Sequence, residues 1–162
     1  MTGKPDSTRA RPKPGDDAPS FDAATTTGER VALAGFRGRK LVLYFYPRDD
    51  TPGCTAQACS LRDHNADIAA RGAAILGVSA QDAASHRRFT RKHALNFPLI
   101  ADTDRSVGRA YGVLGSGLFG VARSLLGAYE RVTFVIDEHG KIAHVIDHPD
   151  TRRHGDEVLR CL

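Results

Sequence analysis

The run Lys40-Leu-Val-Leu-Tyr-Phe-Tyr46 is apolar, β-branched and aromatic after its first residue, and Pro47 closes it. Side chains of a strand point alternately to its two faces, so a strand with one wet face alternates polar with apolar residues. A run without that alternation is covered on both faces. The stretch therefore predicts a central buried strand inside a layered domain. Ala73-Ala-Ile-Leu-Gly-Val-Ser79 reads as a second buried strand and Phe97–Ala101 as a short third one.

Helical segments separate these strands. One runs from about Gly53 to Ala70, with Leu61 and Ile68 on its packing face and Gly72 as the residue that stops it. A polar, basic helix covers Asp82 to Ala94, with Asp82 as its cap. Asp102-Thr-Asp104 opens a third through Tyr111, and Gly155 to Leu162 forms a short terminal one. Arg131–Asp137 and Lys141–Ile146 alternate around Glu138-His-Gly140, which predicts a hairpin. Ahead of everything, Phe21 to Leu33 holds two short extended pieces around Thr25-Thr-Thr-Gly28. The order β-α-β-α-β-α-β-β-α implies an α/β domain with a mixed central sheet and helices on both faces. The Gly- and Leu-rich stretch Gly112 to Gly127 fits none of these elements.

A length of 162 residues, 41% hydrophobic, suits one domain, taken as 15–162. The polar residues 1–14 read as a disordered basic tail. Its four cations (Lys4, Arg9, Arg11, Lys13) less one anion (Asp6) leave +3 of the formal +4, so the body is nearly neutral. With no basic helix interleaved with aromatics, nucleic acid is not an expected partner. There is no apolar run of membrane-spanning length and no apolar leader core at the start, so no membrane association is expected. Three cysteines, two of them close together, fit redox-active thiols in a reducing cytoplasm better than a secreted disulfide scaffold.

Those two are Cys54 and Cys59, in Arg48-Asp-Asp-Thr51-Pro-Gly-Cys54-Thr-Ala-Gln-Ala-Cys59, where the central strand gives way to a helix. A thiol in the first turn of a helix lies against the positive end of the helix dipole and several unpaired N–H groups, and both favour thiolate over thiol. On an intact helix, five residues give a rise of about 7.5 Å and an angular offset of roughly 140°. A disulfide needs Cα atoms closer than about 7 Å with converging Cβ vectors. The pair is therefore expected to be free while the helix is intact and to bond only if its first turns unwind. A zinc site is disfavoured, since no second pair of ligands has suitable spacing.

Pro47, Thr51 and Cys54 match the Pro-x-x-x-Thr-x-x-Cys signature of peroxiredoxins. Gly53-Cys-Thr-Ala-Gln-Ala-Cys-Ser-Leu-Arg-Asp63 resembles the bacterioferritin comigratory protein, or peroxiredoxin Q, subgroup, and Arg131-Val-Thr-Phe-Val-Ile-Asp-Glu-His-Gly140 is similar to the family's later arginine-plus-strand element. The resemblance spans roughly residues 15 to 162. It implies a thioredoxin-like fold with an N-terminal β extension. It also implies a thiol peroxidase in which Cys54 is the peroxidatic cysteine, Cys59 the resolving cysteine, and Pro47, Thr51 and Arg131 the supporting shell. Hydrogen peroxide and organic hydroperoxides would be substrates and thioredoxin the usual electron donor, in a monomer that needs no metal or organic cofactor. In that chemistry Arg131 favours both the thiolate and the developing oxyanion. Thr51 bridges sulfur and peroxide, and Pro47 walls the pocket with a residue that has no N–H. The stretch Gly112 to Gly127 departs from the family by lacking a Lys-rich, Tyr-Gly-containing loop.

Other signals carry less. Gly115-Ser-Gly117-Leu-Phe-Gly120 satisfies a dinucleotide-binding pattern but follows no strand. The seven histidines are scattered; His86 and His93 fall on a helix expected to be exposed, where solvated or structural roles are the default. Asp49 and Asp50 flank the site and are expected to shape its loop. Cys161 reads as a packed thiol on the terminal helix. A redox sensor or partner-binding module built on the same cysteine pair remains the alternative to an enzyme.

Overall fold

The structure, a computed structural model, describes residues 10–114 and 128–162. A five-stranded sheet forms the middle layer. Its strands are β3 (Lys40–Phe45), β4 (Ala73–Ser79), β5 (Leu99–Ala101), β6 (Val132–Ile136) and β7 (Ile142–Ile146). In space they run β5-β4-β3-β6-β7, so the unbroken apolar run is the central strand, as its pattern required. β3 pairs in parallel with β4 and antiparallel with β6. The sheet is mixed, with α1 (Pro52–Ala70) and α2 (Ala83–Lys92) as crossovers on the parallel side. A separate antiparallel pair, β1 (Asp22–Ala24) and β2 (Arg30–Ala32), precedes it.

Alternate residues of β3 feed two cores. Leu41, Leu43 and Phe45 join Phe21, Tyr111, Tyr129 and Phe134 on one face, which α3 (Ser106–Ala110) covers. Val42 and Tyr44, with Tyr46 just past the strand, join Leu61, Ile68, Phe89 and Val158 on the other, beneath α1, α2 and the terminal helix α4 (His154–Arg160). Cys54 belongs to this second cluster.

Helix boundaries follow local chemistry. The Asp82 side chain accepts from the Ser85 N–H at 2.8 Å and starts α2. Gly72 takes φ +78° after α1, a conformation that costs glycine nothing and ends the helix there. Asp102 receives the Val107 and Gly108 N–H groups at 3.1 and 2.8 Å, which delays α3 to Ser106.

Two expectations need correction. Residues 10–14, counted with the disordered tail, lie on the domain: Pro12 is buried, and Arg11 pairs with Glu130 and with Asp147. The polar helix is not solvated all round, because His86 and Phe89 are buried against the sheet and His93 is only 17% exposed in its side chain. The Gly115–Gly120 pattern and most of the Gly112–Gly127 stretch lie outside the described residues. Among the described residues no helix is long and apolar enough to cross a membrane.

Candidate active site

Pro47 lies two residues past the end of β3, and four residues later Thr51 stands at the N-cap of α1 in an extended conformation. Pro52 occupies the first turn, where its missing N–H would have had no helical partner anyway. Cys54 therefore sits in the first turn, where the residue is only 1% exposed. The free N–H groups and positive end of a 19-residue helix are directed at this end of the molecule.

Arg131 comes from far along the chain. β6 starts one residue later, and its Val132 pairs with Phe45 at the end of β3, so the register delivers Arg131 beside the start of α1. Its Nη2 donates to Cys54 Sγ at 3.4 Å, and its Nη1 donates to Gln57 Oε1 at 2.6 Å. Gln57 is fully buried, one turn beyond Cys54 on the same face. The guanidinium thus spans a sulfur and an amide oxygen, a planar two-pronged contact that lysine cannot reproduce. Gly53 makes room for it: a Cβ at that position would stand 3.2 Å from Arg131 Nη2.

Tyr44 and Tyr46 stack at 5.4 Å within the core cluster that holds Cys54. Burial pushes both phenols well above their ordinary range, so they form a neutral wall.

The other residues expected from sequence are near but not all in contact. Pro47 is half-buried in the lead-in loop. The Thr51 hydroxyl donates to the Arg48 carbonyl at 3.2 Å, and no side-chain bond caps the helix. Cys59 is free and half-buried on the same unbroken helix as the free, buried Cys54. Arg62 is held by Asp63 at 2.9 Å and donates to the His93 carbonyl at 2.6 Å. Cys161 follows α4, where burial and then the charge of Glu157 push its thiol up. Arg71 at the far end of α1 donates to Leu159 O at 2.7 Å. That puts Cys161 beside the C-terminal end of a helix whose first turn holds Cys54, about 25 Å of helical rise away. Gln57 was not singled out in sequence; a lone amide on the helical face shared with Cys54, among alanines, was the available signal.

A buried thiol in the first turn of a helix, faced by a fixed guanidinium on a mixed sheet, defines a protein that works through a nucleophilic cysteine. Residues 14–145 match the AhpC/TSA family. The chain is 41% identical over 150 residues to "Peroxiredoxin Bcp" of Escherichia coli K12, covering 93% of this chain and 95% of that protein. It superposes on peroxidoxin BcpB of Mycobacterium tuberculosis with a TM-score of 0.81 at 30% identity, covering 93% and 96% of the two chains. The bacterioferritin comigratory protein of Xanthomonas campestris, whose trapped intermediate and ligand complexes were solved for insight into its alkyl peroxide reduction activity, superposes with a TM-score of 0.78 at 30% identity, covering 86% and 88%. The chain belongs to the AhpC/TSA family. It has the thioredoxin-like fold of the peroxiredoxins and is a thiol-dependent peroxidase.

Proposed function

We propose that this enzyme reduces hydrogen peroxide and organic hydroperoxides through a sulfenic acid on Cys54, which Cys59 of the same chain resolves. The observation that carries the reading is the 3.4 Å contact from Arg131 Nη2 to Cys54 Sγ in the first turn of α1. The Cys54 thiolate attacks one oxygen of ROOH, the O–O bond breaks, and the departing oxygen takes a proton to leave as ROH. Arg131 faces the charge on sulfur before the step and on oxygen during it. Thr51 aligns the peroxide, and Pro47 limits water at the mouth. Alkyl peroxide reduction by the Xanthomonas protein supports inclusion of organic hydroperoxides.

In the second step Cys59 displaces hydroxide from the Cys54 sulfenic acid. A disulfide forms and water leaves. The helix around both sulfurs unwinds for this, because the intact helix keeps them apart. A dithiol reductant, thioredoxin by family analogy, then exchanges with the disulfide and restores both thiols. Both reacting cysteines lie on one helix of one chain, so the enzyme is competent as a monomer. A reducing compartment such as the cytoplasm keeps the resting thiols free.

The test is intact mass and peptide mapping after one equivalent of hydrogen peroxide is added to reduced enzyme. Loss of two hydrogens with a Cys54–Cys59 crosslink is expected. No mass change within minutes would overturn the reading, and a crosslink through Cys161 would reassign the resolving thiol.

A further inference from the structure

The loop Arg48–Thr51 is the least anchored part of the site by main-chain pairing, yet its two acids are held from outside. Asp49 points inward, with its side chain 5% exposed. Its Oδ1 receives the Tyr46 hydroxyl at 2.6 Å. Its Oδ2 receives the Ser85 hydroxyl at 2.7 Å and His86 Nδ1 at 2.6 Å. Its own N–H donates to Gln81 Oε1 at 3.0 Å. Burial alone would raise this carboxyl; the bonds and charge of His86, then Tyr46 and Ser85, hold it below the usual carboxylate range.

His86 is fully buried. Its second nitrogen, Nε2, lies 3.0 Å from the carbonyl oxygen of Ile100 on β5. The ring therefore lies between a carboxylate on the loop and a main-chain carbonyl on the sheet. The ring thus ties the loop to the edge of the sheet. Asp50 adds a second tie. It has φ 61°, a left-handed conformation unfavourable for a residue with a side chain, and Lys92 Nζ at 2.8 Å and His93 Nε2 at 3.1 Å hold its carboxylate. Ser85, His86 and Lys92 belong to α2 and His93 caps its end, and none of these residues is expected to touch peroxide.

We propose that His86 is a positioning residue for peroxide reduction: through Asp49 it fixes the loop that presents Thr51 ahead of Cys54. The inference rests on the assignment of Cys54 as the attacking thiol. A peroxide is aligned by groups on this loop as well as by Arg131, whereas an alkylating agent needs only the thiolate. Loosening the loop therefore separates two reactions of one sulfur.

The experiment uses full-length protein with Cys59→Ser and Cys161→Ser, so that only Cys54 reacts. Oxidation by hydrogen peroxide is followed by stopped flow, and alkylation by iodoacetamide by mass, in this parent and with His86→Gln or Ser85→Ala added. His86→Gln is expected to slow oxidation about 10- to 100-fold and Ser85→Ala about 3-fold, with alkylation changed less than about 2-fold, since misplacement of an aligning group by about 1 Å can cost some 10²-fold. Unchanged oxidation in folded His86→Gln, or alkylation falling by the same factor as oxidation, would overturn the proposal. Should His86→Gln not fold, Ser85→Ala decides by the same two rates. A parent protein that fails to react with peroxide would count against the Cys54 assignment instead, which keeps the two failures distinct.

Discussion

The Gly155 N–H donates to the Ser60 hydroxyl at 3.0 Å, one residue beyond Cys59. His64 Nδ1 donates to the carbonyl of the same serine at 2.7 Å, and its Nε2 pairs with Asp156 at 3.3 Å. The terminal helix is thus riveted to α1 where an unwinding segment that includes both cysteines would have to stop. Hydrogen exchange on reduced and disulfide forms should show protection lost from Cys54 to Cys59 and retained from Leu61 to Ala70. Equal protection of the first turns in both forms would contradict the unwinding step.

Gly155 also tests that junction by volume. A Cβ added there would lie 2.2 Å from His64 Nδ1 and 2.8 Å from His64 Cβ, too close to the base of the side chain for a simple rotation to relieve. Gly155→Ala should destabilise the protein by about 1–3 kcal/mol, the usual range for overpacking, in urea unfolding of the reduced form.

Replacing Arg131 by lysine keeps a positive charge but loses the fork that reaches Cys54 and Gln57 together. Removal of one preorganised donor from a reacting centre typically costs about 10²–10³ in rate. Arg131→Lys should slow Cys54 oxidation by a factor in or just below that range, measured by stopped flow, with the fold retained by circular dichroism.

His154 predicts a pH effect. It is fully buried, with Nε2 2.8 Å from the Thr133 hydroxyl and Nδ1 3.0 Å from Glu157. Burial lowers its pKa, and the bond and charge of Glu157 only partly oppose this. As pH falls, the unfolded chain takes up this proton first, near the ordinary imidazole value of about 6.5. The contribution to stability is therefore present above that value and lost as pH falls toward the lower folded pKa. Asp17, Asp49, Asp50 and Asp104 are all held below the ordinary carboxylate range, so their losses come at more acid pH. Urea midpoints should fall between pH 7.5 and 5.5, and fall less in His154→Gln.

Cys161 lies at the far end of α1 from Cys54, in surroundings that oppose its ionisation. Cys161→Ser should leave turnover with a dithiol reductant, and the mass of the oxidised product, unchanged.

Strand and helix positions were legible because each rests on a local pattern: no alternation in Leu41–Tyr46, Asp82 ahead of its helix, Gly72 after another. Cys54 and Arg131 were legible as motif residues, but their meeting depends on the β3–β6 register, which no local pattern encodes. The buried face of α2 was missed because Arg87, Arg88, Arg91 and Lys92 dominate its composition. His86, Phe89 and His93 recur at helical spacing and were the trace of that face. Gln57 and Gly155 act through partners far away in the chain, which composition and periodicity do not report.

Thr51 opens α1 without a side-chain capping bond, unlike Asp82 at the start of α2. Such a bond is worth about 0.5–2 kcal/mol, so its absence leaves an end prone to fray, and helix–coil relaxation takes about 0.1–1 μs in isolated peptides. The proposed capture of oxidised Cys54 by Cys59 would then be an event within one chain, at a rate indifferent to how much oxidant is present. A second peroxide, which would carry the sulfur on to sulfinic acid, arrives by collision and in proportion to concentration. Under the proposed chemistry the uncapped helix end sets an oxidant dose: below it the enzyme would cycle, and above it the sulfur would pass to sulfinic acid.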